Sequence, residues 1–220
     1  MIAVLIPALN AAQTLRELLS KVKSVVPRES IVVVDDGSTD ATAGIAQESG
    51  AFVIQHVVNR GKGAALRSGF KHILGRPDFS CVITLDADLQ HDPDEIPKFA
   101  ARWKQGGVDV IVGCRRRLGS GMPFDRMLSN TITSLLVSAR AGVVIKDSQS
   151  GYRCISREVL SAVEIESEGY EAETEMLIKA ARKGFKIDSV PIATIYGKER
   201  SNMTHWQTTK RFLQVLLREY

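Results

Sequence analysis

The sequence predicts an α/β protein of one domain built on a mostly parallel sheet. Three observations predict it. Short apolar runs alternate with segments of helical spacing through the first half of the chain. The runs are apolar throughout rather than alternating, as expected of strands covered on both faces. Polar clusters follow them: Asn10, then Asp35-Asp36, then Asp86 to Gln90, then Arg115-Arg116-Arg117. In open α/β sheets ligands sit outside the carboxyl ends of the strands, so function is to be sought at these clusters.

Ile2–Ile6 is the first strand, and Pro7 is expected to end it. Residues 12–25 carry Leu15, Leu18, Leu19 and Val22 at helical spacing. Ile31–Val34 is a second buried strand, and a short helix should start near Ser38–Asp40, where capping residues gather. Ala51–Gln55 is a third strand. Gly63–Leu74 reads as a helix with Leu66, Phe70 and Ile73 on one side. Cys81–Leu85, a helix over 94–105, and Val108–Gly113 complete the alternation. In the second half, residues 123–141 look helical. Leu128, Ile132, Leu135, Leu136 and Ala139 lie on one face, with Arg126, Asn130, Thr133 and Arg140 on the other. Gly151–Ser156 is a short strand, 171–183 a helix, and 186–196 extended. Trp206, Leu213, Leu216, Leu217 and Tyr220 share a face of a helical tail.

With 220 residues, 44% hydrophobic and 25% charged, the composition is that of a globular chain and excludes a disordered or collagen-like one. No apolar run approaches the roughly 18–20 residues that cross a bilayer, and the start lacks the basic region of a secretory signal. A cytoplasmic protein is expected. Cys81, Cys114 and Cys154 form no CxxC pair and read as small apolar residues in a reducing compartment. The net charge of +4 is uneven: residues 1–110 carry 12 Lys and Arg against 13 Asp and Glu, residues 111–220 carry 17 against 12. The second half therefore favours an anionic partner. Nucleic acid is not expected, because the basic residues are dispersed and only 6% of residues are aromatic.

The sharpest constellation is Leu85–Pro93, LDADLQHDP. Two carboxylates, Asp86 and Asp88, follow a buried strand with one small residue between them. They can converge on a hard divalent cation, one of them through water, with Gln90 adding a neutral oxygen. A polar turn capped by Asp92-Pro93 is the plainer reading. In Val32–Asp40, VVVDDGSTD, a carboxylate at the strand end can accept from a base edge or ribose hydroxyls; a β-turn with a helix cap would use the same residues. In Asn59–Gly69 the glycines before a helix let Lys62 or backbone N–H groups approach a phosphate. Arg115–Arg117, Arg126, Lys198, Arg200 and His205 supply cations for phosphate oxygens. Glu173 and Glu175 suit the first turn of a helix, or a base.

These stretches, with IPALN, VGCRRR, DSQSGYRC, GYEAETEMLIKAARKG and IYGKERSNMTHWQTTKRF, run in order over residues 4 to about 212. In that order the chain resembles family 2 glycosyltransferases of the GT-A fold, and most closely the dolichyl- or polyprenyl-phosphate mannose or glucose synthases. The resemblance implies one domain over 1–220, with a nucleotide-sugar half (1–113) and an acceptor half with the C-terminal helix (114–220). It implies that Pro7, Leu9 and Asp36 bind base and ribose, and that Asp86, Ala87 and Asp88 hold the donor. Lys62 joins them, and Lys198 and Arg200 close over the diphosphate. Mg2+ or Mn2+ would sit on Asp86, Asp88 and Gln90. Arg115, Arg126 and Ser129 would meet the acceptor phosphate, and Asp88, Arg115, Glu173 and Glu175 would be the catalytic candidates. GDP-mannose is the first donor implied and UDP-glucose the next.

One departure stands out: the family reads Asn-Glu after the first strand, and here the pair is Asn10-Ala11. The residues leave two other readings open. One is a transferase acting on a saccharide hydroxyl, with Glu173 or Glu175 as base. The other is a non-catalytic nucleotide-sugar binder. The apolar faces of 123–141 and 206–220 could meet a membrane surface, where a polyprenyl phosphate resides. Packing on the domain or on a second subunit, in a homo-oligomer, is the expectation for 127–139; both remain open for the tail.

Overall fold

The computed structural model describes residues 1–115, 124–193 and 205–220, and within them not the side chains of 124–126 or 205–208. Among the described residues, seven strands form one sheet in the order β3-β2-β1-β4-β6-β5-β7. They are β1 (Ile2–Ala8), β2 (Ile31–Asp35), β3 (Phe52–Gln55), β4 (Cys81–Thr84), β5 (Val110–Arg115), β6 (Arg153–Ser156) and β7 (Ile187–Ile192). Only β6 runs antiparallel to its neighbours. The helices are α1 (Ala12–Val25), α2 (Thr42–Glu48), α3 (Lys62–Leu74), α4 (Ile96–Lys104), α5 (Phe124–Ala141), α6 (Arg157–Ala162), α7 (Glu171–Arg182) and α8 (His205–Leu217).

Strand β1 shows why both faces are covered. Ala3 and Leu5 point into a core with α3 and α7, while Val4, Ile6 and Ala8 point into the opposite core with α1 and α2. Period-2 alternation therefore divides one apolar run between two cores. The α3 layer sits close because Gly69 faces β1: a Cβ there would stand 2.3 Å from Leu5 Cδ1.

Four expectations need correction. Pro7 does not end β1, which continues to Ala8. It pairs with Val34 of β2, and the ladder with β4 stops at Leu5–Thr84, so the missing N–H falls where β4 has already ended. The helix expected at Ser38–Asp40 starts at Thr42, whose N–H donates to Asp40 Oδ1 at 3.0 Å. On α5, Leu128, Ile132, Leu135 and Leu136 face outward rather than packing on the domain; the buried residues are Ser134, Val137 and Ala141. Small side chains bring the helix close, and Ser134 Oγ accepts the Ser148 N–H at 3.1 Å. On α8 the inward residues are Phe212, Val215 and Leu216, while Leu213 and Leu217 are exposed. Helix α6, six residues long and capped by Ser156, is too short to show a period and was not anticipated.

Gly69→Val should destabilise the fold by about 1–3 kcal/mol, since the added branch overpacks the α3–β1 contact. Urea unfolding would measure it, as a lower midpoint at unchanged slope.

Candidate active site

The antiparallel strand is what assembles the site. Because β6 lies between β4 and β5 and runs the other way, the segment entering it (147–152) meets the carboxyl ends of both. Asp86 and Asp88 leave β4, Arg115 ends β5, and Gly151 stands between them. Thr84 Oγ1 donates to the Gly151 carbonyl at 2.8 Å and holds that segment.

At the centre is the Lys62 ammonium. Its Nζ lies 2.5 Å from Asp86 Oδ1 and 3.2 Å from Glu173 Oε2, with the Tyr170 ring 5.5 Å away. Burial, the largest single influence, would raise the Asp86 carboxyl; the charge and hydrogen bond of Lys62, with His91 and Arg153, together outweigh it and hold the group at about 2. Asp88 goes the other way, raised by burial and by the neighbouring Asp86 charge. Gly151 leaves room for the ion pair, since a Cβ there would stand 2.9 Å from both Asp86 Oδ2 and Glu173 Oε1. Beneath lies Arg153, fully buried, donating to the carbonyls of Ser150 (2.8 Å), Ser148 (2.9 Å) and Glu173 (2.5 Å). The turn after β4 is shaped by His91: burial lowers its pKa, and its Nδ1 accepts the Asp86 N–H at 3.2 Å, so Nε2 carries the proton. Tyr152 packs under His91 and donates to the Asp92 carbonyl.

Toward β1 and β2, two loops are fastened together. The Asn10 N–H donates to Ser38 Oγ (2.8 Å), and Asn10 Oδ1 accepts the Thr39 N–H (2.9 Å). Ala11 stands at the start of α1, its N–H on Thr42 Oγ1. Pro7 is half-buried and Leu9 exposed at this end. Asp36 is placed differently from a residue that offers oxygens outward. It is 3% exposed. Its Oδ1 lies 2.6 Å from His56 Nδ1 and accepts the Arg60 N–H, and its Oδ2 accepts the Gly61 N–H at 2.7 Å. In the structure it shapes the loop that delivers Lys62. Ala87 is buried, and its carbonyl accepts from Thr14.

Arg115 binds Asp147 through two N–H···O contacts of 2.7 and 2.8 Å, and Asp147 is 1% exposed. Ser129 is exposed on α5. The side chains of Arg126 and His205, and all of Arg116, Arg117, Lys198 and Arg200, lie outside the described residues. Glu175 is not at this centre. Its carboxylate is buried on the other side of α7, accepting the N–H groups of Glu166 and Ser167 and pairing with Lys179 at 2.6 Å. It fastens the loop before α7, so of the two glutamates only Glu173 meets Lys62 and Asp86.

The sequence of residues 3–163 matches the family model described as Glycosyl transferase family 2. The chain belongs to that family. A polyprenol monophosphomannose synthase of Mycolicibacterium smegmatis is 30% identical over 86% of this chain and 75% of its own. An undecaprenyl-phosphate mannosyltransferase of Micrococcus luteus is 28% identical over 94% of each chain. Among solved structures, a glucosyl-3-phosphoglycerate synthase of Mycobacterium tuberculosis in complex with Mn2+, UDP and glucosyl-3-phosphoglycerate superposes with a TM-score of 0.80. It is 24% identical, over 99% of this chain and 78% of that one. The glycosyltransferase thus has the GT-A fold that its motifs imply.

The residues of this glycosyltransferase fit a divalent cation shared with phosphate. Among the described residues no group of three or more His, Cys, Asp or Glu forms a protein-only cage. Asp86 and the raised Asp88 instead give two adjacent carboxylates, the number Mg2+ takes when phosphates complete its sphere. Gly151, His91, Asp147 and Arg153 were not anticipated as site residues. All four stood inside quoted motifs, LDADLQHDP and DSQSGYRC, but nothing in their spacing tells a cradle from a turn.

In Lys62→Met the Asp86 carboxyl should titrate well above its wild-type value of about 2, because burial then acts with less opposition. Carbon-13 NMR of the carboxyl groups reads this directly. With wild-type Lys62, the stabilisation from Asp86 should be full above the ordinary 3.8 and fade as pH falls toward 2.

Proposed function

We propose that this glycosyltransferase moves a hexose, mannose or glucose, from a nucleotide diphosphate sugar to a polyprenyl phosphate with inversion at the anomeric carbon. The observation that carries the reading is the likeness to polyprenyl-phosphate mannose enzymes across most of the chain. The geometry supports it: an acid centre and an arginine stand on strand ends separated only by β6.

In this reading the loops at Pro7, Leu9 and Asp36 receive the nucleotide. Lys62, with Lys198 and Arg200, serves the diphosphate. A Mg2+ or Mn2+ ion held by Asp86, Asp88 and Gln90 would neutralise charge developing on the leaving diphosphate. Arg115, held by Asp147, with Arg126 and Ser129, orients the acceptor phosphate. That phosphate is already an anion near neutral pH, its second pKa being about 6. It needs placement more than deprotonation, so Glu173 positions Lys62 rather than removing a proton. The outward face of α5 (Leu128, Ile132, Leu135 and Leu136) with Val143 and Val144 supplies apolar surface for a peripheral stay at the membrane. Among the described residues no helix is long and apolar enough to cross one.

Two outcomes test the reading. Calorimetric titration with GDP, UDP, GDP-mannose and UDP-glucose should show metal-dependent binding of one nucleotide that is lost in Asp88→Ala. With polyprenyl phosphate as acceptor, Glu173→Gln should retain transfer within about tenfold. Wild-type transfer to a saccharide hydroxyl and none to polyprenyl phosphate would overturn the acceptor, and Glu173→Gln should then lose about 100- to 10,000-fold, the usual contribution of a general base.

A further inference from the structure

Lys62 and the cation site contend for the same carboxylate. Its ammonium is 2.5 Å from Asp86 Oδ1, its side chain is 11% exposed, and Glu173 Oε2 holds it from the other side. The backbone that carries it is fixed: Gly61 N–H donates to Asp36, and Gly63 N–H donates to the Glu168 carbonyl at 2.7 Å. A Cβ at Gly63 would stand 2.2 Å from the Ser167 carbonyl oxygen, so this approach tolerates no side chain. What can move is the four-carbon stem of the lysine.

The charges around it already face one another: Lys62 lies between Asp86 and Glu173, and the buried Arg153 donates to the Glu173 carbonyl. A dication added to this arrangement meets two resident cations in a poorly solvated place. A nucleotide diphosphate alters the balance, because it brings both an anion for the ammonium and ligands for the metal.

We propose that Lys62 is the resident counter-ion of Asp86, keeping divalent cations off that carboxylate until a nucleotide diphosphate draws the ammonium away, so that metal and donor enter together. The inference rests on the reading that this site takes a nucleotide diphosphate.

Mn2+ binding, followed through the electron paramagnetic resonance signal of the free ion, tests it without turnover. Wild-type protein should bind Mn2+ weakly alone, and at least about tenfold more tightly with the nucleotide diphosphate it accepts. Lys62→Met and Lys62→Gln should bind Mn2+ alone at least about tenfold more tightly than wild type, whereas Lys62→Arg, which keeps the charge, should not. Equal Mn2+ affinity of wild type with and without nucleotide overturns the inference, and that comparison needs no variant to fold. So does folded Lys62→Met, judged by its thermal melt, with wild-type affinity for the ion. If wild type binds neither GDP nor UDP, with or without Mn2+, the reading of the site itself falls. Nucleotide binding with unaltered Mn2+ affinities removes only the role of Lys62.

Discussion

The arrangement depends on one buried cation. Arg153 sits at the first position of β6 with no exposed surface, and its guanidinium is satisfied by three carbonyls, two from the segment entering β6 and one from α7. Burying a charge is tolerable only when its donors are met, so these segments are obliged to stay where they are. Ser148 and Ser150 lie in the stretch that carries Asp147 and Gly151. Glu173 is the residue whose carboxylate reaches Lys62. One guanidinium thus couples the arginine at the end of β5, the acids after β4 and the helix behind both.

The two sides of the site are held by different means. On the β1–β2 side, short hydrogen bonds between loops do the holding: Asn10 to Ser38 and Thr39, and Asp36 to His56, Arg60 and Gly61. They fix the two loops against one another and against the start of α3. On the β5 side the holding is ionic, Arg115 against Asp147.

The strands and most helices were legible because burial on both faces leaves a plain apolar run and burial on one face leaves a 3.6-residue period. The period failed where it was most apolar. On α5 the long side chains face outward, and close packing is made by Ser134, Val137 and Ala141, which carry little hydrophobic signal. Pro7 misled for a related reason, since a missing donor ends a ladder on one side only. At the site, Asp86, Asp88 and Lys62 could be singled out because charge directly after an apolar strand or before a helix is conspicuous. Asp147 and Arg153 could not, because a buried ion and an exposed one are spelled alike. Glu173 and Glu175, two residues apart on one helix, could be separated only by seeing which face each takes.

Gly151 gives this site an unusual sensitivity. Its missing side chain is the space in which one ammonium and two carboxylates meet. A single methyl group introduced there carries no charge, yet the ends of three charged side chains would have to shift to admit it. At this position shape and electrostatics are one variable, and a relative that differed only here would differ in its ion chemistry.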